Sequence, residues 1–255
     1  PEEVRRGFDP DIYVIGLQEI VKLNAKNCFI KDNKRVQAWR DYLIEILNET
    51  NKRNIVNSGR RYTDEEIIEQ QLFYTDQSMV GCYIAVFFRK RMSRYLRQKS
   101  LAPCKVKVGA RGTAGNKGAV CIRFEIGDQS IMLINCHLAS GREKDKERMN
   151  QMATIFKSAF AKNLRNRGMT VEKHSQVILL GDLNFRIGML SREEVIEKCK
   201  QKQIAELLCQ DTLVLAFDKY HSTTVQPSDT GFFTEMLFRS FQEGHIDFMP
   251  TYKYD

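Results

Sequence analysis

Three short apolar segments of the sequence each run into polar side chains that could do chemistry. The segments and the groups that follow them are residues 12–17 with Glu19, residues 131–134 with His137, and residues 177–180 with Asp182 and Asn184. A short apolar run bounded by polar residues is typical of a buried strand. If the three strands end at one sheet edge, two carboxylates, an imidazole and an amide meet at a single place.

This set of side chains suits hydrolysis of a phosphate ester. Glu19 is a hard oxygen ligand that can hold Mg²⁺, and Asp182 can accept a proton from water. Asn184 is a neutral hydrogen-bond donor and Arg186 is a cationic one. Both can bind phosphoryl oxygens as negative charge builds on those oxygens during the reaction.

Each group also has an ordinary structural interpretation when it is taken alone. A Glu after a strand is commonly a solvated turn residue, and His137 could be a hydrogen-bonded core histidine. Residues 181–184 could form an Asx-type turn. The three groups together, in this order, favour a functional site.

A fourth cluster is the glycine-rich segment Gly115–Gly118, which follows Gly109 and Gly112. Glycines allow backbone amides to approach an anion closely, and Lys117 adds positive charge. The alternative interpretation is a β-turn before a strand that begins at Ala119.

The charge balance indicates a polyanionic partner. The formal net charge is +8, which suits nucleic acid, an anionic membrane or a phosphorylated small molecule. The excess is concentrated in residues 89–117, which contain Lys and Arg but no Asp or Glu. This stretch is either a solvated face or a surface that meets anionic lipid.

From the sequence we expect neither a membrane span nor a secretory signal. Its longest apolar runs are far shorter than the roughly 20 residues that a span requires, and residues 1–8 are charged. The seven cysteines include no CxxC pair. We therefore expect reduced thiols in a cytoplasmic protein.

Hydrophobic periodicity predicts an α+β sandwich rather than a doubly wound sheet, because strands and helices mix without regular βαβ alternation. Residues 48–78 are polar and are interpreted as a variable surface excursion. The predicted strands are 11–17, 80–88, 119–126, 130–136 and a buried 177–180. The predicted helices are 36–47 with Val36 and Trp39 on its buried face, 143–167 with Met152, Phe156 and Phe160 buried, and one that Ser191 caps.

Five segments, in this order, resemble the motifs of inositol polyphosphate 5-phosphatases, and the synaptojanin and type II branches are the most similar. The segments are Gly16–Glu19 (GLQE), Gly115–Val120 (GNKGAV), Asn135–Gly141 (NCHLASG), Gly181–Arg186 (GDLNFR) and Pro250–Asp255 (PTYKYD). The resemblance implies a four-layer α/β/β/α sandwich of the DNase I-like, or endonuclease/exonuclease/phosphatase, superfamily.

The same resemblance implies a role for each matching residue. Glu19 corresponds to the Mg²⁺ ligand, and Lys117 and Arg186 to substrate-binding residues. His137 would contact the scissile phosphate, Asp182 would orient and deprotonate the attacking water, and Asn184 would stabilise the pentavalent phosphoryl group. Tyr252 and Lys253 resemble the element that recognises a neighbouring 4-phosphate.

The family pattern also contains motifs that residues 1–255 lack. It begins with a strand that carries an Asn, and it ends with segments similar to Trp-Thr-Asp-Arg and Ser-Asp-His-Arg-Pro. We therefore expect residues 1–255 to be a single catalytic domain that is incomplete at both ends, without its first and last strands.

The function that the resemblance implies is Mg²⁺-dependent removal of the 5-phosphate from phosphatidylinositol 4,5-bisphosphate or a related inositol phosphate. The expected partners are this substrate and, peripherally, an anionic membrane surface. The alternatives are a non-catalytic phosphoinositide-binding module and an apurinic-type endonuclease of the same superfamily. The segments Gly115–Gly118 and Thr251–Tyr254 favour inositol phosphates, so nucleic acid is not the expected partner.

Overall fold

The computed structural model describes residues 10–21, 33–109, 112, 114–161, 169–222 and 240–250. The chain divides into two compact units. The first comprises Pro1–His137 and Lys157–Asp182, and the second comprises Leu138–Phe156 and Leu183–Asp255.

The first unit contains a three-stranded antiparallel sheet, hereafter the first sheet. Its strands are β1 (Ile12–Leu17), β2 (Leu72–Met79) and β3 (Cys82–Arg89), in the order β1-β3-β2. All eight residues of the central strand β3 are buried. Its near-continuous apolar sequence, CYIAVFFR, is the pattern expected of a strand that is covered on both faces.

Helix α1 (Asn33–Asn57) packs on one face of the first sheet. Val36, Leu43 and Leu47 lie on its buried side, and they belong to one apolar cluster with residues of β3. The short helix α2 (Asp64–Glu69) follows, and a capping box between Thr63 and Glu66 fixes its start.

The second sheet of the first unit has four strands in sequence order: β4 (Ala102–Gly109), β5 (Ala114–Ile126), β6 (Gln129–His137) and β7 (Gln176–Asp182). Strands β4, β5 and β6 pair antiparallel, and β7 pairs parallel to β6. A turn at Gly127 and Asp128 connects β5 to β6, and Gly127 has a φ of 59° there.

The two sheets pack face to face around one apolar core. Buried side chains of β3, among them Ile84, Val86 and Phe88, form a cluster with Val120 and Ile122 of β5. Alternate residues of a strand point to opposite faces, which is why these side chains recur at every second position. The predicted α+β architecture with two packed sheets is confirmed.

The second unit contains most of α3 (Asp145–Ser158), together with α4 (Arg192–Lys200), α5 (Ile204–Leu208) and α6 (Thr212–Ser222). Ser191 caps α4 as predicted, and Glu194 completes the capping box. The buried Arg148 of α3 donates to the carbonyl oxygens of Ala139 and Gly141 at 3.0 and 2.7 Å. These bonds fix the chain that follows His137.

Several sequence-based expectations about the elements were wrong. Residues 48–78, interpreted as a surface excursion, instead contribute to the main elements, because α1 extends through Asn57 and both α2 and β2 follow. Trp39 is 37% exposed, since the buried stripe of α1 passes through Val36 and Leu43 instead. Strand β7 is only partly buried, with Ile178 47% exposed, because among the described strands it pairs with β6 alone.

Helix α3 ends earlier than predicted, at Ser158. Phe160 follows with a φ of 59°, a left-handed conformation that ends a helix. Met152, Phe156 and Phe160 are buried as expected. No helix in the described part of the chain combines the length and apolar character that a membrane crossing needs.

Candidate active site

Three of the predicted site residues meet at the ring of a fourth, His137. The Nζ atom of Lys117 lies 2.7 Å from Nε2 of His137. Nε2 of His137 also lies 3.5 Å from Oδ2 of Asp182 and 3.6 Å from Oε1 of Glu19. Two carboxylates, an ammonium group and an imidazole therefore share one point at the edge of the first unit's sheets.

Strand register explains why residues so far apart in sequence come together. His137 is the last residue of β6, and its pairing partners are Gly118 on β5 and Asp182 on β7. His137 therefore lies between β5, on which Lys117 immediately precedes Gly118, and Asp182 on β7. The predicted coincidence of strand ends is confirmed for these residues.

Glu19 reaches the same point from the first sheet. It lies two residues beyond the end of β1, with a φ of 54° that few residues other than glycine adopt. The next residue, Ile20, donates its backbone N–H to the carbonyl oxygen of Gly81 at 3.2 Å. This bond ties the segment to the turn between β2 and β3.

Gly118 and Gly181, the neighbours of Lys117 and Asp182 in the chain, allow the backbone to place these two side chains at the site. A Cβ at Gly118 would lie 2.0 Å from the carbonyl oxygen of Val106, and one at Gly181 would lie 2.2 Å from that of Cys136. Both glycines have positive φ, at 145° and 118°. The backbone approaches its neighbours too closely here for any side chain.

Segment Gly115–Gly118 lies within β5 rather than forming a turn before it. Glycines within a strand permit close approach of a neighbouring backbone. The β-turn alternative is therefore wrong, and the strand places the Lys117 side chain at the site.

His137 is neutral in this arrangement. Its pKa is lowered to about 4, first by burial and then by the Lys117 ammonium group, while Asp182 acts in the opposite direction. Because Lys117 has only protons to donate, Nε2 accepts and Nδ1 carries the ring proton. Nδ1 is buried and has no hydrogen-bond partner among the described residues.

The carboxylates differ from the histidine in exposure. The side chain of His137 is 0% exposed, whereas those of Asp182 and Glu19 are 45% and 64% exposed. Both carboxylates are thus within reach of water or a soluble ion. The described residues contain no group of three His, Cys, Asp or Glu side chains arranged to hold a metal ion.

Asn184 and Arg186 belong to the second unit, and their side chains contact each other. Arg186 donates to Oδ1 of Asn184 at 2.7 Å, and Nδ2 of Asn184 donates to the carbonyl oxygen of Leu138 at 3.0 Å. Asn184 is buried and has a φ of 59°. Its amide is therefore held in one orientation. Tyr252 and Lys253 lie outside the described residues.

Sequence reasoning missed one residue that touches this region. Asn135 of β6 is buried between the two sheets and contacts the segments that carry Glu19 and Asp182. The signal was available, because an amide within an otherwise apolar strand must find partners when it is buried.

Comparison with known proteins identifies the family. The model of the Endonuclease/Exonuclease/phosphatase family 2 matches residues 4–255. The chain is 31% identical to a probable inositol polyphosphate 5-phosphatase of Schizosaccharomyces pombe, over 100% of this chain and 21% of that protein. It is 30% identical to synaptojanin-1 of Homo sapiens, over 98% of this chain and 13% of that protein.

A solved structure supports the same assignment. The inositol polyphosphate 5-phosphatase domain of SPsynaptojanin, in complex with inositol (1,4)-bisphosphate and calcium ion, matches with a TM-score of 0.68 and 27% identity. The match covers 96% of this chain and 60% of that one. The chain thus spans only part of the relatives that it matches. It belongs to the Endonuclease/Exonuclease/phosphatase family 2, and the relatives that it resembles there are the inositol polyphosphate 5-phosphatases and synaptojanins.

Proposed function

We propose that the chain is the catalytic domain of an inositol polyphosphate 5-phosphatase, which removes the 5-phosphate from phosphatidylinositol 4,5-bisphosphate or a related inositol phosphate. The observation that carries the proposal is the meeting of Glu19, Lys117 and Asp182 at the buried ring of His137. The names of the matched relatives support the substrate class.

Asp182 is the base that activates water. The reaction adds water across the bond between phosphorus and the inositol oxygen, which yields the free hydroxyl and inorganic phosphate. Asp182 takes a proton from the attacking water, and its partial exposure gives that water access. A positioned base typically contributes about 10²–10⁴-fold to the rate.

Lys117 stabilises the negative charge that builds on the phosphoryl oxygens, and Nε2 of His137 orients its ammonium group by accepting from it. The resemblance to the family gives Asn184 and Arg186 the same stabilising role. Asn184 supplies an amide whose orientation Arg186 and the Leu138 carbonyl oxygen fix. Preorganised donors of this kind are worth roughly 10²–10³-fold each, because they need no rearrangement as charge develops.

A divalent cation fits the donor set, and we propose Mg²⁺. Glu19 and Asp182 offer two partly exposed carboxylates, and Mg²⁺ is commonly held by one or two carboxylates, with water and substrate phosphate as its other ligands. Glu19 would be its main protein ligand. When bound, the cation neutralises phosphate charge.

The substrate's 4-phosphate is recognised by Tyr252 and Lys253. A phenol and an ammonium group suit a phosphate monoester. We place the enzyme in the cytoplasm, at the surface of anionic membranes, where a net charge of +8 favours the encounter with lipid.

The experiment is phosphate release from a panel of inositol lipids and soluble headgroups, with and without the 5- and 4-phosphates, in the presence of Mg²⁺, Ca²⁺ or chelator. We expect release only from substrates that carry a 5-phosphate, and Lys253→Ala should raise KM only where a 4-phosphate is present. Duplex DNA with an abasic site is included. Its cleavage without release of any inositol phosphate would identify an endonuclease, and binding without turnover would identify a non-catalytic module.

A further inference from the structure

Asn135 occupies a position that the roles assigned above leave unexplained. It lies on β6 two residues before His137, and its side chain is fully buried between the two sheets of the first unit. A buried amide is costly unless its donors and acceptor are paired, so its partners show what it holds together.

Those partners lie on the first sheet or directly follow its strand β1. Nδ2 of Asn135 donates to the carbonyl oxygen of Tyr83 on β3 at 2.8 Å, and it lies 3.4 Å from that of Leu17 at the end of β1. Its Oδ1 accepts from Nε2 of Gln18 at 2.5 Å. Gln18 immediately precedes Glu19, so one amide of the second sheet holds the chain that presents Glu19.

The same amide also fills the space left by two glycines. A Cβ at Gly16 would lie 2.8 Å from Oδ1 of Asn135, and a Cβ at Gly181 would lie 2.7 Å from that atom. Gly16 lies on β1, and Gly181 immediately precedes Asp182. The Asn135 side chain thus contacts the segments that carry Glu19 and Asp182, and its own strand carries His137.

We propose that Asn135 is a positioning residue, which sets the spacing of the two sheets at their catalytic edge and thereby holds Glu19 against His137 and Asp182. It touches neither the water nor the phosphate. This inference rests on the proposed function for its kinetic consequences, but its structural consequence can be measured without any turnover.

The test is Asn135→Leu, which removes the amide at similar volume. The matched control is Asn51→Leu. Asn51 is also buried, and it donates to the backbone carbonyl oxygen of Gln70 at 2.7 Å. It lies on α1 rather than on β6. We expect kcat of Asn135→Leu to fall about 10²-fold with little change in KM, since misplacement by about 1 Å has this effect. Asn51→Leu should lose stability to urea while its folded fraction keeps its kcat.

Gln18→Met is a second, milder variant. It removes the donor to Oδ1 and leaves Asn135 in place, so kcat should fall less than in Asn135→Leu. Because both changes act through one hydrogen bond, the double variant should be no worse than Asn135→Leu alone. Fully additive losses from the two changes would overturn the inference.

Amide hydrogen exchange provides the readout that does not depend on activity. Peptides that contain residues 17–21 and 181–184 should exchange faster in Asn135→Leu than in the wild-type protein, and should not change in Asn51→Leu. If the wild-type protein releases no phosphate, the proposed function fails while this exchange experiment still decides the role of Asn135. Unchanged exchange in both peptides, or a kcat within about threefold of wild type in folded Asn135→Leu, would overturn the inference.

Discussion

The Nζ atom of Lys117 lies 2.7 Å from Nε2 of His137, so the ammonium group of β5 and the imidazole of β6 form a single polar unit. The carboxylates of Asp182 and Glu19 lie 3.5 and 3.6 Å from the same Nε2 atom of this buried, neutral ring. A phosphate that enters this site meets a cation held in place by strand pairing.

Replacing Lys117 should therefore impair catalysis more than folding. Lys117→Met should lower kcat/KM for a soluble inositol phosphate by roughly 10²–10³-fold, because it removes a donor to the developing charge. Lys117→Arg should retain part of the activity. The control is Lys105→Met on β4, an exposed lysine that should tolerate the change. Equal rates for Lys117→Met and Lys105→Met would exclude Lys117 from the site.

Glu19→Gln should change the dependence on divalent cation as well as the rate. A neutral amide is a poorer ligand than a carboxylate for a hard cation, so a higher Mg²⁺ concentration should be needed for the half-maximal rate. The measurement is a Mg²⁺ titration of phosphate release, with Asp128→Asn in the exposed β5–β6 turn as control. An unaltered half-maximal concentration in Glu19→Gln would mean that the cation is held elsewhere.

Binding to anionic membranes should depend on lysines rather than arginines of the basic stretch 89–117. Arg91, Arg94 and Arg97 are each paired with a carboxylate, at 2.5, 3.3 and 2.9 Å. Lys105 and Lys107 are exposed at alternate positions of β4, and neither has an acidic partner among the described residues. An unpaired lysine near an anionic surface contributes on the order of 1 kcal/mol.

Replacing Lys105 and Lys107 by Glu should therefore weaken liposome binding at low salt and leave hydrolysis of a soluble headgroup intact. Arg91→Gln with Arg94→Gln is the comparison, and we expect the smaller effect from that pair. The alternative role of Lys105 and Lys107 is to protect the edge of the second sheet from pairing with another chain. Unchanged liposome binding together with increased aggregation of the reversed variant would support that role instead.

Protonation of His174 should destabilise the folded protein. Burial lowers the pKa of His174, whose Nε2 accepts from Nε of Arg123 at 3.1 Å. A histidine with a lowered folded-state pKa contributes stability above its ordinary pKa of about 6.5, and loses that contribution as the pH falls below it.

Urea unfolding at about pH 7.5 and pH 5.5 measures this effect. The fall in unfolding free energy from the higher to the lower pH should be smaller in His174→Gln than in the wild-type protein. Glutamine keeps an acceptor for Arg123 and cannot charge. The other titrating groups contribute similarly to both proteins, so an identical fall would mean that His174 does not titrate in this range.

The parts of the site that sequence predicted are those in which local pattern and position coincide. Glu19, His137 and Asp182 each follow an apolar run of the sequence, and a common sheet edge brings such residues together. Lys117 was harder to place, because glycines around a lysine suit a turn as well as a strand, and only the pairing of Gly118 with His137 decides between them.

Other features depend on tertiary packing that no local pattern contains. Trp39 lies outside the buried stripe of α1 although its spacing from Val36 suits that stripe, and residues 72–79 form a strand despite their polar sequence because β3 pairs with them. Asn135 was missed for the same reason. Its partners, Gln18 and Tyr83, lie 117 and 52 positions away in the chain.

The most direct test of the account is hydrolysis of inositol 1,4,5-trisphosphate in ¹⁸O-labelled water with Mg²⁺, by the wild-type protein and by Asp182→Ala. We predict inositol 1,4-bisphosphate as the product and one ¹⁸O atom in the released phosphate, because water attacks phosphorus. The rate in Asp182→Ala should be lower by about 10²–10⁴-fold. Release of a different phosphate, label in the inositol hydroxyl, or an undiminished rate in Asp182→Ala would contradict the account.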